Sequence, residues 1–140
     1  MIVKKRDILK YFHKYNKEYF NGVLPEPNVK TISSLSLIGR FEYAYNSECS
    51  MFNQVIKITN AYDFTMKQFR DTLVHEMMHY YLAYVGIDVY CDHGEDFNRV
   101  SAIYNHRYGL NITVYADSSK LKLRKDRSKL FIRLCGLFNS

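Results

Sequence analysis

Apolar residues near the start of the chain recur at the spacing of one helix face. This pattern predicts an amphipathic helix from about Arg6 to Phe20. Asn21 and Gly22 come next, and such a pair is typical of the end of a helix. The residues that form the apolar face are Ile8, Leu9, Phe12, Tyr15 and Tyr19.

Three short runs rich in β-branched and aromatic residues follow, and they predict strands. The runs cover about Val29–Leu37, Arg40–Tyr45 and Gln54–Ile58. Turns at Gly39 and at Asn46-Ser47 separate them. Together they indicate a small three-stranded sheet. The strand nearest a binding cleft is expected to offer its edge to a peptide, which gives low sequence selectivity.

A segment that is apolar on most of its circumference predicts a buried central helix. Asp63 or Thr65 can cap its N-terminus, and Gly86 is a natural stop. Its apolar residues are Phe69, Leu73, Val74, Met77, Met78, Leu82, Ala83 and Val85.

A further helix is predicted from about Glu95 to Tyr108, where Gly109 breaks the chain. Asn111–Tyr115 and the basic residues after it have the alternation of short strands. Helices packed beside a separate small sheet make the predicted fold class α+β. The apolar positions of the further helix are Phe97, Val100, Ile103 and Tyr104.

The central helix contains the sequence His75-Glu76-Met77-Met78-His79. Two histidines four residues apart project from one helix face and can bind a single ion. Glu76 lies on the neighbouring face, where a carboxylate can act as general base in metal-assisted hydrolysis. Polar side chains in a buried helix need partners, and a metal supplies one. The motif predicts a zinc hydrolase.

A metal site with an open position usually has three protein ligands, and His93 is the best candidate for the third. It follows the central helix after a short linker that can fold back over it. The chain does not match the metzincin motif H-E-x-x-H-x-x-G-x-x-H, because Leu82 and Val85 occupy the positions of its Gly and its third His. The residues that remain as alternative ligands are Cys91, Asp92, Glu95 and Asp96.

Four stretches extend the motif into a larger pattern. They are Tyr15-Asn16-x-x-Tyr19-Phe20-Asn21-Gly22-x-Leu24-Pro25, Gly39-Arg40-Phe41 with Ile56-x-Ile58, Asp71-Thr72-Leu73, and Asp92-His93-Gly94-x-x-Phe97. Over about residues 8 to 115 the pattern resembles the SprT-like domain family, the zincin module of bacterial SprT proteins and eukaryotic Spartan proteases. The resemblance implies a zincin-like fold, one Zn²⁺ bound by His75, His79 and His93, and a general base at Glu76.

Cysteine usage departs from the family pattern. Many members continue into a zinc ribbon made of two cysteine pairs, but this chain has only Cys49, Cys91 and Cys135 and no C-x-x-C. A ribbon is therefore excluded. An odd number of widely spaced cysteines predicts reduced thiols and a cytoplasmic location. The N-terminus lacks the apolar core of a signal peptide, and no apolar run is long enough to span a membrane.

The charge is concentrated at the C-terminal end. Seven basic residues against Asp126 alone give the last 21 residues a net charge of +6, which equals that of the whole chain. Such a block is expected of a segment that contacts phosphates, although it also suits a solvated strand edge. The residues are Lys120, Lys122, Arg124, Lys125, Arg127, Lys129 and Arg133.

These patterns predict a SprT-like zincin domain over residues 1–119 and a basic extension over 120–140 packed on the same domain. The predicted function is a zinc-dependent metallopeptidase that acts on proteins or peptides. By resemblance to Spartan, its substrates include DNA-associated proteins. Two alternatives remain: a non-catalytic, metal-stabilised module that binds nucleic acid or protein, and a peptidase for one regulatory protein without nucleic acid.

Overall fold

The computed structural model describes residues 1–114 and 118–125. Within them the fold is α+β, with three long helices and a small three-stranded sheet, as predicted. The helices are α1 (Lys5–Tyr19), α2 (Met66–Tyr84) and α3 (Glu95–Tyr108). The strands are β1 (Asn28–Ile32), β2 (Gly39–Tyr45), β3 (Met51–Thr59), β4 (Tyr62–Asp63) and β5 (Lys122–Leu123), and a 3₁₀ turn covers Ser118–Lys120.

The main sheet has the strand order β1-β3-β2, so β3 is central. It runs parallel to β1 and antiparallel to β2. Phe41, Ile56 and Ile58 lie on the buried face, and helix α2 contacts both β2 and β3. Strand β2 is therefore an edge strand held against the central helix.

Helix α2 is the buried centre of the domain. Thr65 caps it, since its hydroxyl accepts from the Gln68 N–H at 3.1 Å and the Gln68 side chain accepts from the Thr65 N–H at 2.9 Å. Of the two predicted caps, Thr65 is confirmed and Asp63 is wrong. Asp63 lies in β4 and pairs with the N-terminal amine of Met1. Gly86, with φ of +78°, follows the helix as predicted.

Two predicted strand ranges in the main sheet need correction. The run Val29–Leu37 does not form one strand, because β1 ends at Ile32. Ser34 then makes a turn, in which its hydroxyl accepts from the Leu37 N–H at 2.8 Å. The run Gln54–Ile58 is the middle of the longer strand β3.

The strand predicted at Asn111–Tyr115 is absent over residues 111–114. The Asn105 side chain bonds both the N–H of Ile112, at 2.8 Å, and its carbonyl, at 3.0 Å. The amide side chain thereby makes the two backbone hydrogen bonds that a neighbouring strand would otherwise make. Tyr115 lies outside the described residues.

The described part of the basic segment rests against β4. Lys122–Leu123 form β5, antiparallel to β4, as predicted for the start of this segment. The Arg124 N–H donates to the Ala61 carbonyl at 3.0 Å. Arg127, Lys129 and Arg133 lie outside the described residues. Among residues 1–114 and 118–125, none of the helices combines the length and apolar character needed to cross a membrane.

Candidate metal centre

Three histidines converge on one point beside α2. His75 and His79 lie one turn apart on the helix, and His93 folds back from the loop between α2 and α3. The Nε2 atom of His93 is 3.1 Å from that of His75 and 3.0 Å from that of His79. An ion bonded tetrahedrally at roughly 2.0–2.1 Å keeps its ligand atoms about 3.3 Å apart, so the cluster fits a zinc-sized ion. The structure brings these three side chains together.

The alternative ligands lie outside this cluster in the described chain. The Cys91 thiol faces the His79 carbonyl at 4.0 Å. Asp92 accepts from the Gly94 N–H at 2.9 Å, and Asp96 pairs with Arg99 at 3.4 Å. Glu95 lies in the first turn of α3, where its charge suits the helix dipole.

The protonation state of the histidines suits metal binding. Burial, reinforced by His93, lowers the pKa of His75 to about 4. Burial and the two neighbouring histidines lower the pKa of His79 to about 3. Burial also lowers the pKa of His93, against the opposing effect of Asp92 and Asp88. Near neutral pH the metal-free cluster therefore presents neutral imidazoles, the form that binds a metal.

The histidine rings are held in place by surrounding groups. Phe97 of α3 is 1% exposed and packs against all three rings, with centroid distances of 4.9, 4.5 and 5.0 Å to His75, His79 and His93. His75 also bonds the backbone of Thr113. A bond from the distal nitrogen fixes the tautomer and leaves Nε2 free to face the ion.

Glu76 lies beside the cluster, with its Oε1 3.9 Å from the Nε2 of His75. The residue is only 7% exposed, and burial raises the pKa of its carboxyl group to about 8. A bond from the Phe41 backbone N–H and the charge of Arg40 oppose that rise. A Cβ at Gly39 would come within 3.2 Å of the Cγ and Oε1 of Glu76. A larger residue at this point of β2 would require the Glu76 side chain to shift by a few tenths of an ångström, so the glycine lets the strand pack closely on the carboxyl group.

Glu76 should make the stability of the metal-free chain fall as pH rises, in the direction opposite to His75 and His79, whose lowered pKa values favour the folded state as pH rises. The pKa of Glu76 rises from 4.5 to about 8 on folding, so the folded state retains a proton that the unfolded state releases. The stabilisation is complete below about pH 4.5 and is lost as pH rises through about 8. Across this window the contribution of Glu76 to the free energy of unfolding falls by about 1.4 kcal/mol per pH unit.

We therefore expect urea unfolding, with a chelator present, to show wild type losing stability relative to Glu76→Gln between about pH 5 and pH 8. The glutamine does not titrate and can still accept the Phe41 N–H, so it is a matched reference. A stability difference that stays constant with pH would contradict the raised pKa of Glu76.

The cluster opens into a cleft of about 1060 Å³. One wall is strand β2, including Arg40 and Glu42, and another is the loop that carries His93. Residues 111, 113 and 114, with Lys120 and Leu121, line the remaining side. The space is large enough for an extended peptide segment, and Lys120 is the basic residue that lines it from the described part of the basic segment.

The fold and the site define an α+β domain in which three neutral imidazoles, beside a buried carboxyl group, could hold a metal ion. The model of the SprT-like family matches residues 8–116, which is most of the chain, and the chain belongs to the SprT-like family. No curated protein sequence matches it.

Some residues that shape the centre had no recognisable role in the sequence. The sequence marks Phe97 as an apolar helix position and as part of the family pattern but not as the residue that packs on all three histidines, and nothing in it points to Thr113 as the partner of His75. Gly39 was predicted as a turn residue rather than as the contact of Glu76. These contacts join segments distant in sequence, which hydrophobic spacing and motifs do not encode.

Proposed function

We propose that this chain is a zinc-dependent metallopeptidase that hydrolyses peptide bonds with Glu76 as its general base. The observation that carries the proposal is the convergence of three imidazoles next to a buried carboxylate. This arrangement opens into a cleft that can admit a peptide. A purely structural site has no use for a carboxylate at that position.

The residues divide the chemistry between them. His75, His79 and His93 would hold the ion, which when bound supplies Lewis acidity to a substrate carbonyl and to water. Glu76 accepts a proton at its carboxylate from the water that adds to the carbonyl carbon, and donates it to the amine nitrogen as the C–N bond breaks. Burial raises the pKa of Glu76 to about 8 in the metal-free chain, and the Phe41 N–H and the charge of Arg40 partly offset that rise in favour of the ionised carboxylate that this role requires. The positive charge of a bound ion would favour the ionised form further.

Substrate binding is proposed along β2. This strand lies at the edge of the main sheet and borders the cleft. An extended substrate can pair with the backbone groups of such an edge, whatever its side chains are. Low sequence selectivity follows, since the main chain supplies most of the contact.

Nucleic acid is proposed as a second partner, bound by the basic segment. Lys120 lines the cleft, and Lys122 and Lys125 are exposed beside it. Arg124 donates to the Asn60 carbonyl at 3.2 Å and ties this segment to the domain. A substrate bound to DNA would thereby be held near the metal centre.

Cys49 and Cys91 are free thiols, which agrees with a reducing, cytoplasmic setting.

The experiment that tests this proposal is cleavage of a basic DNA-bound protein by the zinc-loaded chain, with and without single-stranded DNA. Cleavage that requires zinc supports the peptidase, and stimulation by DNA that disappears at moderate salt supports the second partner. Cleavage unaffected by DNA would leave a peptidase without a nucleic-acid partner. Absence of cleavage by a zinc-bound chain would contradict the proposed activity.

Reversal of two charges should weaken the stimulation by DNA. We expect the variant with Lys122→Glu and Lys125→Glu to bind a single-stranded oligonucleotide at least tenfold more weakly, because each lost phosphate contact removes favourable counterion release. Fluorescence anisotropy measures the affinity. The matched control reverses Lys10 and Lys17, which are exposed on α1. Equal weakening in both variants would indicate a dependence on net charge alone.

A non-catalytic, metal-stabilised binding module is the alternative function. It would normally have a fourth protein ligand that closes the site. Cys91 is the nearest sulfur in the described loop, but it lies outside the histidine cluster. X-ray absorption at the zinc edge separates the two functions, because a Zn–S distance of about 2.3 Å would indicate the closed site.

A further inference from the structure

The segment that delivers His93 to the cluster follows an unusual path. We call residues 86–94, between α2 and α3, the ligand loop. Cys91 in its middle has φ of +53°, a left-handed conformation that residues other than glycine seldom adopt. Such a conformation persists only where surrounding contacts impose it. Since His93 follows two residues later, whatever holds Cys91 also sets the direction of the ligand.

Asp88 supplies those contacts. Its residue is 8% exposed although it lies in a surface loop. One carboxylate oxygen accepts from the Tyr90 N–H at 3.1 Å, and the other accepts from the Asp92 N–H at 3.1 Å. The two bonded amides lie on either side of Cys91, so one carboxylate spans the left-handed residue. Asp92 in turn accepts from the Gly94 N–H at 2.9 Å, immediately after His93.

The ligand loop is also fastened to the elements that carry the rest of the site. The N–H groups of Ile87 and Asp88 donate to the Leu82 carbonyl at 2.9 and 3.0 Å, at the end of the helix that carries His75 and His79. The Tyr43 hydroxyl of β2 donates to the Val89 carbonyl. The backbone of Asp88 is thus bonded to the end of α2. Its carboxylate orders the backbone that leads to His93.

We propose that Asp88 is a positioning residue of the metal centre, which holds the ligand loop so that His93 meets His75 and His79. This inference rests on the proposed metal site. The two-oxygen acceptor is the essential feature. Asparagine has nearly the same shape, but its amide carries a donor where Asp88 has its second acceptor, so it can satisfy only one of the two N–H groups.

The test is the zinc affinity of the full chain, measured by competition with a chromophoric chelator. We expect Asp88→Asn to bind zinc 10–100-fold more weakly than wild type, the range typical of lost support for a ligand. Asp96→Asn is the matched control, because Asp96 is a half-exposed acid of α3 that pairs with Arg99 in the described chain. It should stay within about twofold of wild type.

A second measurement separates positioning from a general loss of stability. In a His93→Ala background, where His75 and His79 alone bind zinc weakly, adding Asp88→Asn should cause no further loss of affinity. Circular dichroism of the metal-free variants ensures that only folded chains are compared. Tyr43→Phe, which removes the attachment of the loop to β2, should weaken zinc binding in the same His93-dependent way.

Three results would overturn the inference. The first is wild-type zinc affinity in Asp88→Asn, and the second is an equal loss of affinity with and without His93. Either would leave the proposed peptidase intact. The third is a wild-type chain that fails to bind zinc, which would remove the metal site itself and with it the proposed function.

Discussion

Replacement of Glu76 by glutamine should reduce peptide hydrolysis at least about 100-fold while leaving bound zinc unchanged. A positioned general base contributes roughly 10²–10⁴-fold to a rate, and the amide cannot accept the proton. Glutamine fits the same buried space and can accept the Phe41 N–H, so the site should keep its shape. Initial cleavage rates and the zinc content of the same samples give the two quantities.

Glu42→Gln is the matched control for this experiment. Glu42 lines the same cleft, but it pairs with Arg40 at 3.1 Å and with Lys57 at 3.0 Å. Its replacement should leave most of the activity in place. Wild-type turnover by Glu76→Gln would show that another group takes up the proton, and an equal loss in both variants would point to a general effect of charge in the cleft.

Replacement of His79 by alanine should abolish stoichiometric zinc binding and lower the thermal stability of the zinc-loaded chain. His79 is the most buried of the three histidines, with 5% exposure. A ligand at 100 times its dissociation constant adds about 2.7 kcal/mol to the free energy of unfolding, and the variant loses that contribution. Calorimetry with and without zinc measures it.

The informative comparison is the shift in melting temperature caused by zinc. Wild type should show a clear increase, and His79→Ala should show little or none. His106→Ala is the control, because His106 is an exposed histidine of α3 outside the cluster. A zinc-dependent increase in His79→Ala equal to that of wild type would mean that the ion binds elsewhere.

The features that the sequence predicted are those governed by local rules. The four-residue spacing of His75 and His79 places them on one face of any helix. Thr65 is one of the two predicted caps, and the capping box that it forms with Gln68 is a pattern confined to four residues. His93 could be proposed because a short linker limits how far it can lie from the helix before it. The buried face of α1 follows from periodicity alone, and Ile8, Phe12 and Tyr15 occupy it.

The features that escaped prediction depend on contacts between distant segments. Strand β4 has two residues and exists because Tyr62–Asp63 pair with Lys122–Leu123, a partnership without a local pattern. The run at 111–114 alternates like a strand, but the Asn105 side chain takes its backbone bonds. The close approach of Gly39 to Glu76 could not be predicted from the sequence for the same reason, since it depends on how β2 packs on α2.

The most direct test of the proposed peptidase is a zinc titration of the metal-free chain, in which bound zinc and peptide cleavage are followed in the same sample. The predicted result is cleavage that rises in proportion to bound zinc and stops rising at one equivalent, since one three-histidine cluster holds one ion. The contradicting result is a chain that binds one equivalent of zinc and releases no new peptide termini.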